Sequence, residues 1–143
     1  MHTMKILRGV SGCGKSTMAK ELCKEVLGQG KQAVTCSADE FFVDPATGDY
    51  NFDSRKLGEA HAWCRGNAHM AMRLGVDLVV IDNTNTRRWE YEGYIKMAAD
   101  AGYEVSEEIV GQFDESNLKA YANRNKHGVP LDAIRKMAQR FEK

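Results

Sequence analysis

The sequence predicts an α/β fold in three layers, with a short parallel sheet of about four strands flanked by helices. Three observations carry that expectation. Strand-like apolar runs alternate with helical periodicity along the chain. The run Leu78-Val79-Val80-Ile81 is apolar without interruption, as a central parallel strand covered on both faces should be. The first run, Met4-Lys5-Ile6-Leu7, leads into Gly9-Val10-Ser11-Gly12-Cys13-Gly14-Lys15-Ser16, the phosphate-binding pattern GxxxxGK[ST] that joins a strand to a helix.

The elements follow in order. Residues 4–8 form the first strand. In the loop after it, backbone N–H groups turn inward to bind nucleotide phosphates. Lys15 adds a charge that reaches the β- and γ-phosphates, and the Ser16 hydroxyl can ligate Mg²⁺. The predicted nucleotide-binding set is Gly9, Ser11, Gly12, Cys13, Gly14, Lys15, Ser16 and Thr17. Met18, Leu22 and Val26, joined by Ala19, Cys23 and Leu27, mark the next helix, which Gly28 and Gly30 end. A second strand spans residues 32–37. A helix over 54–74 carries the stripe Leu57, His61, Cys64, Ala68 and Met72. The third strand is 77–81. Tyr91, Tyr94, Ile95 and Ala98 stripe a helix over 87–101, with Thr86 as N-cap and Gly102 as its stop. A strand over 104–110 and helices over 114–123 and 131–141 complete the chain. Between those helices, Gly128 and Pro130 frame a cationic loop that reads as a C-terminal lid.

With 143 residues, the chain reads as one domain, 1–143, large enough for a core without disulfides or metal. There is no apolar run near membrane-spanning length, and Met1-His2-Thr3-Met4 lacks a signal-peptide core. The four cysteines form no CxxC pair, which fits a reduced, cytoplasmic chain. A formal net charge of zero argues against strong non-specific nucleic-acid binding. Residues 114–143 are locally basic, with seven Lys and Arg against four Asp and Glu. That segment either faces phosphates or is a solvated surface.

In parallel α/β sheets, ligands bind outside the carboxyl ends of the strands. The rule brings three segments to one edge: the phosphate loop, Asp39-Glu40, and Asp82-Asn83-Thr84-Asn85. Asp82 closes a hydrophobic strand, the expected place for an acid serving Mg²⁺. Asp39 either caps the turn after it or accepts the proton of a substrate hydroxyl opposite the γ-phosphate. Arg124, in the lid segment Arg124-Asn125-Lys126-His127-Gly128-Val129-Pro130, would stabilise charge on a transferring phosphoryl group. Arg87 and Arg88 either hold substrate phosphate or lie on the helix surface, where cations oppose the helix dipole. A Ras-type GTPase would need an Asn-Lys-x-Asp motif, but Asn125-Lys126-His127-Gly128 ends in glycine. A ring-forming ATPase would need a larger core. His61 and His69, eight residues apart, lack zinc-ligand spacing.

Taken together, these segments resemble the polynucleotide 5′-kinase family and its kinase-like P-loop NTPase relatives in phage, bacterial and animal proteins. The resemblance rests on the phosphate loop, Ser37-Ala38-Asp39-Glu40-Phe41-Phe42, Tyr50-Asn51-Phe52-Asp53, Glu59-Ala60-His61, Ile81-Asp82-Asn83-Thr84-Asn85 and Arg124-Asn125-Lys126-His127-Gly128-Val129, and it spans nearly the whole chain. It implies an ATP- and Mg²⁺-dependent kinase. Lys15 and Ser16 would hold ATP and Mg²⁺, Asp39 would be the general base, and Asp82 would support metal and substrate. Arg124 would contact ATP from the lid, at phosphate or adenine. The implied acceptor is the 5′-hydroxyl of a nucleic acid or nucleotide. One position departs from the pattern. Phe42 stands where phage polynucleotide kinases carry an arginine that grips substrate phosphate, which leaves Phe42, with Tyr50, Phe52 and Trp89, either to stack on a base or to pack. A sugar or nucleoside kinase, or an ATPase switch without an acceptor, would share the donor machinery.

Overall fold

In the computed structural model, which describes residues 2–125 and 127–143, four strands pair in parallel. They are β1 (Thr3–Arg8), β2 (Ala33–Cys36), β3 (Leu78–Asp82) and β4 (Glu104–Ile109), in the order β2-β3-β1-β4. The helices are α1 (Lys15–Gly28), α2 (Leu57–Arg73), α3 (Arg88–Asp100), α4 (Glu115–Asn123) and α5 (Leu131–Arg140).

Side-chain alternation on the central strands builds two cores, one on each face of the sheet. Met4, Ile6, Val79 and Ile81 face a core shared with Ala60, Cys64 and Ala68 of α2 and with Tyr91, Tyr94 and Ala98 of α3. Leu7, Leu78 and Val80 face the other, with Ala19 of α1, Leu118 and Tyr121 of α4, and Ile134 of α5. All five residues of β3 are buried, as its unbroken apolar run requires. Edge strand β4 carries exposed Glu104 and Glu107 and half-buried Glu108, and charge on an open edge disfavours pairing with another chain.

The topology places the site. After β1 the chain crosses to β2, beyond β3; after β3 it crosses to β4, beyond β1. The carboxyl ends of β1 and β3 therefore lie side by side where the connections diverge, and Leu7 is in register with Asp82.

Some boundaries and faces differ from expectation. Asp82 is the last residue of β3 rather than the first of a turn. The helix expected over 54–74 opens as a separate 3-10 turn, Ser54–Lys56, capped by Asp53 accepting from the Arg55 N–H. Arg87, not Thr86, caps α3. Thr86 is instead fully buried, and its hydroxyl donates to Glu90 at 2.5 Å. Leu27 and Leu57, assigned to helix stripes, are exposed near helix ends.

Candidate functional site

The loop after β1 owes its shape to residues with no room or no freedom for a side chain. Gly14 sits at φ 106° and ends the loop as the cap of α1. At Gly12, φ is 81° and a Cβ would meet the Tyr121 carbonyl oxygen at 2.7 Å. Among the described residues, the backbone N–H groups of Gly12, Gly14, Lys15, Ser16 and Thr17 have no protein acceptor. They form a row of donors at a helix N-terminus, which suits an anion. Lys15, only 7% exposed, donates through Nζ to the carbonyls of Gly9 and Val10 at 3.0 Å each. Its charge is thus held over the loop by that loop's own backbone.

Gly9 and Cys13 play supporting parts. The Gly9 N–H donates to the Thr84 carbonyl at 3.0 Å and ties the loop to the segment after β3. The Cys13 N–H is spent on the Val10 carbonyl at 3.3 Å, and its thiol is buried. Neither residue lines the cleft.

The Ser16 hydroxyl donates to Asp82 Oδ2 at 3.0 Å, and Asp82 is 7% exposed. Among the described residues there is no cluster of three or more His, Cys, Asp or Glu side chains that could cage a metal. A hydroxyl paired with one carboxylate beside a phosphate cradle suits Mg²⁺, which keeps its waters and shares its ligands with substrate phosphates. The donor set therefore fits a magnesium nucleotide.

Ser11, Gly12, Gly14, Lys15, Ser16, Thr17, Asp39, Asp82 and Arg124 line one cleft of about 830 Å³. Arg124 Nε donates to the Gly12 carbonyl at 2.9 Å, and its guanidinium lies over the Tyr121 ring at 4.9 Å. Asp39 lies in the 3-10 turn Ala38–Phe42 that follows β2. The Asn83 side chain accepts from the Ala38 N–H at 2.9 Å and so fixes that turn to the end of β3.

Three expected substrate contacts lie elsewhere. Phe42 is a core ring, 7% exposed, edge-on to Phe41, Tyr50 and Phe52. What it shows lines a separate hollow of about 750 Å³ with Phe52, Arg55 and Lys56. Arg88 is drawn to Glu107 on β4, at 3.8 Å, and to the Tyr91 ring, at 5.6 Å. Arg87, as the α3 cap, is exposed outside the cleft lining. Of the other motif residues, Lys126 lies outside the described residues, Trp89 is exposed, and His61 is half-buried. Burial, then Arg65, holds the His61 imidazole below its ordinary range.

Several cleft residues carry no sequence assignment. The Asn125 side chain donates to Ser11 Oγ at 2.7 Å, and its Oδ1 accepts the His127 N–H at 3.0 Å. His127 and Tyr50 meet beside Asp39. The available signal was the segment 124–130 itself, whose Arg, Lys and His read as a cationic cluster and whose Asn125 lies in the same family motif.

A parallel α/β sheet, a phosphate loop opening a helix, and a buried acid ending the adjacent strand define a P-loop nucleotide-binding protein. The chain belongs to the AAA domain family designated AAA_33, whose profile matches residues 4–143. Human NEDD4-binding protein 2 is 32% identical over 96% of this chain, and rat 2′,3′-cyclic-nucleotide 3′-phosphodiesterase is 30% identical over 99% of it. The chain spans only 8% and 31% of the lengths of those relatives. Among solved structures, the Pnkp1/Rnl/Hen1 RNA repair complex contains a chain that matches with a TM-score of 0.70 at 15% identity, over 97% of this chain and 43% of that one. No described helix is long and apolar enough to cross a membrane.

Proposed function

We propose that this chain is an ATP- and Mg²⁺-dependent phosphotransferase that moves a γ-phosphoryl group to a hydroxyl, with the 5′-hydroxyl of a nucleic acid or nucleotide as acceptor class. The observation that carries the reading is the placement of Asp39 in the same cleft as Lys15, Ser16, Asp82 and Arg124. A pure nucleotide switch has no need of a carboxylate facing the donor machinery.

Each residue has a physical part. The N–H groups of Gly12, Gly14, Lys15, Ser16 and Thr17, which have no acceptor among the described residues, and the Lys15 ammonium would hold the phosphates. Ser16 and Asp82 would hold Mg²⁺, which supplies positive charge against the phosphate oxygens. Arg124 caps the loop from the lid side and offsets charge that grows during transfer. Asp39, more than half exposed and so open to an incoming group, would accept the proton of the attacking hydroxyl. The nucleic-acid acceptor class rests on the resemblance described above, with support from the match to a chain of an RNA repair complex.

The test is transfer of a radiolabelled γ-phosphate to a panel of 5′-hydroxyl DNA, 5′-hydroxyl RNA, nucleosides and sugars. Labelled oligonucleotide, lost in Asp39→Asn and Lys15→Ala, is the expected result. Labelling confined to nucleosides or sugars would sink the nucleic-acid acceptor. Hydrolysis with every acceptor unlabelled would sink the transferase reading itself.

A further inference from the structure

Two aromatic residues stand against the Asp39 carboxylate. The Tyr50 hydroxyl donates to Asp39 Oδ1 over a long 3.4 Å. His127 stacks on the Tyr50 ring, with centroids 4.0 Å apart and 29° between planes, and its Nε2 lies 3.9 Å from Asp39 Oδ2. The two come from different segments of the chain. Tyr50 belongs to a loop pinned to the 3-10 turn by the Val43–Tyr50 bridge and by the Asn51 N–H donating to the Phe42 carbonyl at 2.9 Å. His127 belongs to the segment between α4 and α5, which Asn125 and Arg124 fasten to the phosphate loop at Ser11 and Gly12.

We propose that Tyr50 and His127 form a latch: stacking joins the α4–α5 segment to the acceptor side of the cleft and positions the Asp39 carboxylate. The inference rests on the reading of Asp39 as general base.

The argument is one of orientation. The Asp39 side chain is 56% exposed, and an exposed carboxylate otherwise samples several rotamers. A general base must hold one oxygen at hydrogen-bond reach of the hydroxyl. The Tyr50 hydroxyl engages Oδ1 and leaves Oδ2 turned towards the lid. Burial, then Asp39 itself, pushes the Tyr50 hydroxyl up to about 12, so it stays a donor throughout the neutral range. The stack gives the lid a reason to close on this side, because His127 gains a ring face only where Tyr50 offers one. A run of contacts thus links Ser11 in the donor half to Asp39 in the acceptor half, through Asn125, His127 and Tyr50.

Two measurements test it. The first is the rate of tryptic cleavage after Arg124 in the folded protein, which needs no substrate. His127→Ala and Tyr50→Ala should be cut several-fold faster than the parent, and His127→Phe, which keeps a ring for the stack, should restore protection. Unchanged cutting in both alanine variants overturns the latch. The second is steady-state transfer from ATP to a 5′-hydroxyl oligonucleotide. Tyr50→Phe keeps the ring and loses only the hydroxyl, so kcat should fall about tenfold with the KM for ATP unchanged, the signature of a misplaced base. Loss of transfer in Asp39→Asn with full kcat in Tyr50→Phe overturns the positioning role and leaves the base standing. Full transfer in Asp39→Asn overturns the base reading, and the positioning role with it.

Discussion

Replacing Arg8 with methionine should destabilise the fold although the new side chain is apolar and of similar length. Arg8 is 3% exposed at the end of β1. Its guanidinium lies between the rings of Tyr91 and Phe141, at 4.5 and 4.7 Å. Nε donates to the Asn85 carbonyl at 2.9 Å, and Nη2 donates to the carbonyls of Thr86, at 3.3 Å, and Glu142. Methionine would keep the ring contacts and lose every donor. The Thr86 carbonyl would still accept from the Glu142 N–H, but those of Asn85 and Glu142 would have no donor left. The buried Asn85 acceptor left unpaired costs about 1–3 kcal/mol, the lost pairing of Arg8 with Glu107 at 3.8 Å adds about 1 kcal/mol, and the carbonyl of exposed Glu142 turns to water, so the net cost is about 2–4 kcal/mol. A chain of 143 residues has an unfolding entropy of about 0.3 kcal/mol per degree, so Tm should fall by roughly 7–13 °C. Thermal and urea unfolding followed by circular dichroism measure this directly. Arg8→Ala should cost about 1–2 kcal/mol more, because the rings lose their cation and its stem. Stability of Arg8→Met within about 1 kcal/mol of the parent would refute the reasoning, since a buried cation can be replaced without loss only where its partners do not need it.

Further outcomes follow from the same geometry. Gly12→Ala must hold a side chain at φ 81° against the Tyr121 carbonyl, a strain of about 1–2 kcal/mol before the clash, so binding of a fluorescent ATP analogue should weaken about tenfold or more. In Asp82→Asn, titration calorimetry should show ATP binding that no longer responds to EDTA, whereas the parent loses affinity on chelation. Native protein should react with a thiol reagent first at half-buried Cys23, while Cys36 and Cys64 react only on unfolding, because both are buried and burial raises both thiols. Burial pushes Cys36 up from 9.0, and Tyr50 up from 10.0, each to about 12, so the folded state keeps protons that the unfolded chain gives up. Stability should therefore be complete below pH 9 and fall as pH rises towards 12, and the urea midpoint of a Cys36→Ala, Tyr50→Phe double variant should fall less across that window.

The phosphate-loop side of the cleft was legible in the sequence, and the side around Asp39 much less so. Phosphate binding by backbone N–H groups demands glycine at fixed spacings in one contiguous stretch, and residues 9 to 16 meet that demand alone. The central place of β3 follows from an equally local signal, its unbroken apolar run. Phe42 shows the other case. Its position in the motif invited a substrate contact, but a large ring one turn beyond β2 packs inward between Phe41 and Phe52. Arg88 shows a second, since Glu107 lies far away in sequence and near in space. Tyr50 and His127 each lie in a segment that carries the family resemblance, but nothing local says that the fold stacks one on the other. Arg8 read only as the end of a strand, because nothing local says that a cation there will be buried.

Arg8 also shows how the two halves keep their relative position. The Gly9 N–H bonds to the Thr84 carbonyl, while the Arg8 side chain bonds to the next two carbonyls, Asn85 and Thr86. Two successive residues of one strand end thus grip three successive residues of the neighbouring one. Asn85 adapts to this by taking φ 46°, a left-handed conformation that asparagine tolerates, and its side chain donates to the Leu7 carbonyl at 2.9 Å. The phosphate loop begins at one side of that junction and Asp82 lies just before the other, so the 3.0 Å contact of Ser16 with Asp82 inherits its geometry from it. Asn83, within the same segment, fixes the turn that carries Asp39. The spacing of the proposed catalytic groups therefore depends on a junction whose key side chain lines no part of the cleft.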